Sequence, residues 1–312
     1  MKICFMGSME FASIILEALH EKYPVSLVVT QPDKPVGRKK VLMGTPVKEK
    51  AMELGIEIFQ PVSIRKDNQR ILSEEFDFII VAAYGQLIPE SILYHAKHQA
   101  INVHASLLPK YRGGSPMHRA IINGDKITGV TIMYMEKALD SGSILNQEEC
   151  EIAEKDNVKT LEIKLANLGK TLLLETINKF KQGTVQAVPQ NDSLVSYAYN
   201  FKPHELRLSF NKTAEEFYNQ VRGMNPWPIS EIYIDQQRIK VYEVDYLSEN
   251  FSTNVKEVVK IDKSGVYIQC ASGVVILKEI QLAGKKKMDI VAFMNGIGKS
   301  LFTEGEILNT SL

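Results

Sequence analysis

Three side chains in this sequence have the types and placement to do chemistry together. Asn102 and His104 lie two apart in the run NVHASLLPKYRGGSPMHRAI, residues 102–121, and Asp140 lies in the tight-turn sequence LDSG, residues 139–142. In a strand, alternate residues share a face, so Asn102, His104 and Ser106 point one way while Ile101, Val103 and Ala105 point the other. An amide that donates to an oxygen gaining negative charge, and an imidazole that takes or returns a proton near neutral pH, meet the needs of acyl transfer. An aspartate beside the imidazole would fix its orientation and support its charged form. No serine or cysteine must serve as nucleophile, so direct attack by an amine is compatible with this set. Taken singly, each residue has a plain structural reading: a satisfied histidine at a strand end, an aspartate closing a turn.

The elements that must position these groups are legible around them. Residues 3–6, 26–30, 56–59, 78–83 and 100–105 read as strands, several of them apolar at every position, as in strands buried on both faces. Helical stretches at 11–20, 46–54, 68–75, 90–96 and 116–123 alternate with them, predicting an open doubly wound, mostly parallel α/β sheet. A polar stripe where such a strand ends falls on the carboxyl edge, where ligands bind in these sheets. Leu107, Leu108, Pro109 and the glycines after Arg112 then form a loop, closed by Ser115-Pro116 as a helix start.

Two further strands at 127–135 and 143–152 and a helix at 160–180 complete a first domain, residues 1–182. A polar, tyrosine-bearing stretch without sustained periodicity reads as a linker, 183–206. One helix at 213–222 and short alternating runs through residue 281 predict a second domain, 207–312, built as a small barrel or sandwich of strands.

Composition narrows the partners. Of 312 residues, 45% are hydrophobic and 24% charged, which excludes disorder and stapled mini-scaffolds. Lys plus Arg and Asp plus Glu number 37 each, so the net charge is zero and any nucleic-acid partner must be held by local patches. One patch is the segment 31–50, where Lys34, Arg38, Lys39, Lys40, Lys48 and Lys50 stand against Asp33 and Glu49, a local charge of +4 in an expected exposed loop. Another is Lys285, Lys286 and Lys287, in a second domain whose 13 basic residues, these three included, balance 13 acidic ones. Cys4, Cys150 and Cys270 form no metal or disulfide pattern, and no histidine has a metal-ligand spacing, so no metal is expected. His20, His95, His98, His118 and His204 read as surface or packing residues, and Trp227, between two prolines, as a buried anchor at the domain junction. The longest apolar run cannot span a bilayer, and no signal peptide opens the chain: a cytoplasmic protein with no membrane partner is expected, and nothing points beyond a monomer.

The run from Asn102 to Pro109 followed by YRGG, with LDSG later, resembles the signature of enzymes that move a formyl group from 10-formyltetrahydrofolate. QPDKPVGRKK at 31–40, TPVK at 45–48, FQPVS at 59–63, VAAYGQLIP at 81–89, NPWP at 225–228 and AGKKKM at 283–288 extend the likeness along essentially the whole chain. The last two favour the methionyl-tRNA formyltransferases over their relatives. The resemblance implies a formyltransferase-like first domain, an OB-like second domain, and Asn102, His104 and Asp140 as the catalytic set. It places Ser106, Leu107, Leu108 and Pro109 along the folate site, with 10-formyltetrahydrofolate consumed as cosubstrate and initiator methionyl-tRNA as acceptor. Arg38, Lys39 and Lys40, with Lys285, Lys286 and Lys287, are the implied tRNA contacts. The chain departs from the family pattern at Ser8-Met9-Glu10, Ser143 and Ser209-Phe210. A formyltransferase for amino-sugar nucleotides would share the three residues but need neither the basic loop nor the carboxyl-terminal barrel. A noncatalytic RNA-binding protein would leave the three without a task, and a nicotinamide dehydrogenase lacks the glycine pattern at the first turn.

Overall fold

A computed structural model of the chain describes residues 1–37 and 41–310. By contact the chain forms two compact units. The first comprises Met1–Pro116, Ile127–Glu151 and Leu161–Tyr199; the second comprises Met117–Lys126, Ile152–Thr160 and Asn200–Leu312.

In chain order, the elements through the first sheet are β1 (Ile3–Gly7), α1 (Glu10–Lys22), β2 (Val25–Val29), β3 (Lys34–Val36), β4 (Val41–Met43), α2 (Pro46–Glu53), β5 (Glu57–Phe59), α3 (Gln69–Leu72), β6 (Phe78–Ala82), α4 (Glu90–Leu93), β7 (Ala100–His104), α5 (Pro116–Ile122), β8 (Ile127–Tyr134), β9 (Ile144–Glu151) and α6 (Val158–Gln182). Seven strands make one sheet in the order β5-β2-β1-β6-β7-β8-β9. The first five run parallel, with β1, β6 and β7 buried at every position and β5 a short, partly exposed edge, and β8 and β9 add an antiparallel hairpin at the other edge.

The sheet's two faces bury different sets. Cys4, Met6, Leu27, Val29, Ile79, Val81 and Ala100 pack with Ile71 and Ile92 in one cluster. On the other face, Gly169 of α6 lies against Val103, Val130 and Ile15, close enough that a β-carbon there would sit 3.1 Å from Val103. The alternation of β7 then sends Asn102 and His104 to the face that Ala100 shares with the first cluster, and the polar stripe continues an apolar one. Each fully buried Ile, Val or Phe in these strands stabilises the sheet by about 1.5–3 kcal/mol, which makes β7 a stiff support for its last residue.

At the first turn, the departure at Ser8-Met9-Glu10 has a structural answer. Met9 at the start of α1 offers no side-chain cap, and Glu162 of α6 instead accepts the Phe11 amide N–H at 3.2 Å. Ser8 Oγ donates to the Tyr84 carbonyl at 3.0 Å and accepts the Gln31 N–H at 3.2 Å, tying three strand ends together. Gly7 has no alternative there, since a β-carbon would fall 2.7 Å from that of Ala12.

Residues 34–43 hold an element that proline and glycine concealed: β3 and β4 pair antiparallel, with Pro35 opposite Leu42. In an isolated two-stranded hairpin the missing proline N–H costs no ladder bond on an exposed edge.

The second unit continues with α7 (Ala214–Gly223), β10 (Ser230–Ile234), β11 (Gln237–Leu247), β12 (Val258–Asp262), β13 (Gly265–Gln269), β14 (Val274–Leu282), β15 (Met288–Asp289) and α8 (Ile290–Met294). Its antiparallel sheet runs β10-β11-β14-β13-β12, with β15 on β14. Thr213 and Glu216 form a capping box that starts α7, and Phe217 and Val221 of that helix enter a core with Ile232, Val241, Val266 and Leu277. The departure at Ser209-Phe210 is absorbed here, because Phe210 is buried and stacks on Phe217 at 5.1 Å.

Gly129 in β8 is the tightest strand position beside the site. A β-carbon there would lie 2.1 Å from the Glu148 carbonyl oxygen of β9 and 2.5 Å from Leu107. Gly129→Ala is expected to cost about 1–3 kcal/mol by overpacking, read as a lower urea midpoint.

Candidate active site

The site lies in the first unit, where β7 ends beside the β8–β9 turn. Asn102 and His104 are 8% and 6% exposed. His104 Nε2 lies 3.0 Å from the Tyr111 carbonyl, and Nδ1 lies 3.7 Å from Asp140 Oδ2. Both ring nitrogens thus face oxygen acceptors: a neutral ring donates from Nε2 and keeps Nδ1 as an acceptor, whereas an imidazolium can donate from both. The structure brings Asp140 to His104 from 36 positions away in sequence: β8 ends beside the start of β7, with Tyr134 opposite Ile101, and the segment after it folds back so that Asp140 meets His104 and the Gly113 N–H.

Asp140 is fixed on its own account. Its backbone is in the left-handed region, with φ of 46°, and its Oδ2 accepts the Gly113 N–H at 2.8 Å. Gly113 is itself constrained, with φ of 122° and the Ala198 carbonyl oxygen 2.8 Å from where a β-carbon would stand. Asn102 contrasts with this: its amide makes no hydrogen bond to any described residue, which leaves two donors unspent at the floor of the site. The buried side-chain atoms without a partner among the described residues are Tyr84 Oη, His118 Nδ1 and Asn146 Nδ2, so the Asn102 amide keeps contact with solvent and is open to a ligand.

The loop after β7 is held by residues that the sequence did not mark. Register across three strands sets His104 opposite Thr131 and Thr131 opposite Gln147. Thr131 Oγ1 donates to the Ser106 carbonyl at 2.6 Å and accepts both the Leu108 N–H at 3.1 Å and Gln147 Nε2 at 2.7 Å. Gln147 Nε2 also reaches the Leu108 carbonyl at 2.9 Å. The only sequence signal for Thr131 is a polar residue inside an apolar strand; Gln147, on a half-exposed strand, carries none.

Of the four residues expected along a folate site, Ser106 is fully buried and spends its hydroxyl on the Lys110 carbonyl at 2.7 Å. Leu108 is buried too, while Leu107 and Pro109 are partly exposed. Among the described residues, no group of histidines, cysteines and acids is arranged to hold a metal ion.

The match with known proteins decides the family. Residues 1–177 match the formyl transferase family and residues 200–298 its C-terminal domain. The methionyl-tRNA formyltransferase of Macrococcus caseolyticus strain JCSC5402 is 44% identical over 302 residues, covering 96% of this chain and 97% of its own. The chain belongs to the methionyl-tRNA formyltransferase family. The enzyme of the same name from Staphylococcus aureus strain JH1 is 42% identical over 303 residues, with 96% of this chain and 97% of that one covered. Among solved structures, WlaRD, a sugar 3N-formyl transferase crystallised with dTDP and 5-N-formyl-THF, superposes with a TM-score of 0.69 over 92% of this chain and 99% of its own. At 20% identity that likeness is one of fold. The family's formyl donor is 10-formyltetrahydrofolate, and the chain is a formyl-transferring enzyme.

Outside the site, the remaining expectations meet mixed outcomes. His98 stacks on Phe78 at 4.7 Å, and His20 Nδ1 accepts the Val25 N–H at 3.1 Å, so both serve packing and local structure. Burial pushes the pKa of His118 down to about 4, and its ring packs between Phe201 and Trp227. Trp227 is not a buried anchor: it is 68% exposed. Its backbone carbonyl, facing His118 Nε2 at 3.2 Å, fixes the segment while the indole stays in solvent.

Arg38, Lys39 and Lys40 lie outside the described residues. In the rest of that segment, Lys48 pairs with Asp33 at 2.6 Å and Lys50 with Glu17 and Glu53 at 2.9 and 2.8 Å, so the +4 of the sequence overstates the cations free to act. In the second unit Lys287 pairs with Glu279 at 2.7 Å, whereas Lys285 and Lys286 are exposed with no ion pair among the described residues.

Thr131→Val keeps the shape but removes three hydrogen bonds and strands the Leu108 N–H. It is expected to lower stability by about 1–3 kcal/mol, measured by denaturant titration, and to reduce turnover because the loop beside His104 loses its fixed position.

Proposed function

We propose that this chain transfers the formyl group of 10-formyltetrahydrofolate to the α-amino group of methionine on initiator methionyl-tRNA, for translation initiation, as a cytoplasmic monomer. The observation that carries the reading is the unspent Asn102 amide beside a histidine whose two ring nitrogens face Tyr111 and Asp140. These residues suit a formyl donor, since the Asn102 amide, which has no hydrogen-bond partner among the described residues, offers a donor of the kind a carbonyl oxygen needs. The bound folate supplies an activated formyl carbon. Leu107 and Pro109, the partly exposed members of the adjoining segment, would line its site, while Ser106 and Leu108 shape that segment from beneath.

Each residue has a distinct task in this scheme. Asn102 would donate to the formyl oxygen as the amine attacks and negative charge grows there. His104 would take the amine's proton at Nδ1, the nitrogen left as acceptor when Nε2–H bonds Tyr111. Asp140 would stabilise the imidazolium so formed across the 3.7 Å gap and keep the ring from rotating. The new carbon–nitrogen bond forms to methionine, the bond to the folate nitrogen breaks, and that nitrogen recovers the proton. His104 is the one group of the three able to hold the proton in between.

The tRNA would meet the basic segment around Arg38, Lys39 and Lys40 and the Lys285–Lys286–Lys287 turn, through phosphate contacts blind to base sequence and weakened by salt. The neighbouring hairpin strand β4 presents Val41, Leu42 and Met43 to solvent, an apolar surface that a dehydrated contact would cover.

Formylation assays with methionyl initiator tRNA and 10-formyltetrahydrofolate test this directly. His104→Ala is expected to lower kcat by about 10²–10⁴-fold with an unchanged circular dichroism spectrum, and Asn102→Ala to cost about 2.7–4 kcal/mol of transition-state stabilisation. A folded His104→Ala variant with full transfer would overturn the assignment. Arg38→Ala is expected to raise KM for the tRNA and to leave KM for the folate in place; an equal loss on the folate side would count against a tRNA contact.

A further inference from the structure

The stretch read from sequence as a linker does more than connect. Residues 188–198 lie along both loops of the site. Val188 exchanges two backbone hydrogen bonds of 2.8 Å with Ile144, just after the Asp140 turn. Ser196 and Ala198 bond Arg112 on either side, at 2.9 and 2.7 Å, and Ser196 Oγ accepts the Tyr111 N–H at 3.0 Å. Tyr111 is the residue whose carbonyl faces His104 Nε2.

Gln190 sits between these anchors. Its Oε1 accepts Arg112 Nε at 3.0 Å, and its Nε2 donates to the backbone carbonyls of both Asp140 and Gly142 at 2.8 Å. The orientation of the amide is not arbitrary: Arg112 is donor-only, so the oxygen must face it, and both N–H groups are then committed to the turn. Arg112 is buried and held in addition by Asp192 at 3.3 Å. Arg112 also precedes Gly113, whose N–H binds the Asp140 carboxylate. The contacts close a ring through Arg112, Gly113, Asp140 and Gln190. Asp140 occupies the left-handed region, which aspartate enters more readily than most residues with a β-carbon, and here hydrogen bonds to both its carboxylate and its carbonyl fix it.

We propose that Gln190 is the positioning residue for Asp140: by gripping the carbonyls of Asp140 and Gly142 it holds the carboxylate on the Gly113 amide and in line with His104. This deepens the proposed function and rests on it for the link to turnover, while the placement of Asp140 stands apart from any activity. The strap therefore belongs to the active site, although Gln190 touches no substrate.

Gln190→Glu is the informative variant, because it keeps an oxygen for Arg112 and places a second oxygen, with no hydrogen to donate, against two carbonyls. Gln190→Ala removes the grip without the repulsion. The expected result for Gln190→Glu is a fall in kcat of about 10²-fold, with KM for both substrates within about twofold and the protein still folded at the assay temperature. Gln190→Ala should fall in between. The direct readout is the Gly113 amide in the ligand-free, full-length protein: in both variants its proton resonance should move upfield and exchange faster as the carboxylate leaves it. An unmoved Gly113 resonance in both variants overturns the proposal, whatever happens to kcat or Tm, and so does a moved resonance with wild-type kcat in an active enzyme. If the wild-type protein transfers no formyl group, the functional reading fails instead, and the Gly113 signal alone decides the placement of Asp140.

Discussion

The carboxylate of Asp140 is the point on which this site turns. It is held by one backbone N–H, from Gly113, and it faces the imidazole from a residue in the left-handed conformation. The positions of three separate chain segments converge on that one group. β7 delivers His104, the loop after it delivers the Gly113 amide, and the β8–β9 hairpin delivers Asp140. The loop follows β7 directly, but Asp140 comes from a separate hairpin, so the geometry is only as firm as the sheet beneath them. That sheet is firm because the parallel strands are buried on both faces, and because β8 and β9 extend it past the place where polar groups begin.

Polar residues on the covered face then have to find partners, and most of them do so by organising the loop. Thr131 and Gln147 spend their hydrogen bonds on the backbone of residues 106–108, and Ser106 spends its own on Lys110. Asn102 is left over. An amide without a partner beside an organised histidine is open to a hydrogen bond from outside the protein, which is what the proposed reading asks of it. The same economy appears in the charged residues, where several lysines of the basic segment are already paired and only part of the formal excess is available to a polyanion.

Much of the architecture was legible because hydrophobic periodicity responds to burial, and burial here is extreme. The strands at β1, β2, β6 and β7 and the helices between them follow from runs such as FIIVA and AINVH without knowledge of their neighbours. What the periodicity missed was short or weakly buried: the exposed β4 and its partner β3, with proline in one strand, the two-residue β15, and the five-residue α8, too short to show a helical period although Ile290 and Phe293 are buried. Trp227 failed as a core residue for a related reason. Its size predicts burial, yet the contact that holds its segment is made by a carbonyl, which has no signature in side-chain type.

By itself the sequence determined the fold class and the apolar strands of the first sheet, and it offered Asn102, His104 and Asp140 as candidates for acyl-transfer chemistry. Those follow from side-chain type and local spacing, which are properties of the chain. Only the tertiary structure decided that Asp140 meets His104, that Thr131 and Gln147 hold the loop between, and that residues 188–198 form a strap over the site. Those contacts run through backbone N–H and C=O groups, which every residue carries, and through strands brought into register by the sheet. No spacing in the sequence can express them.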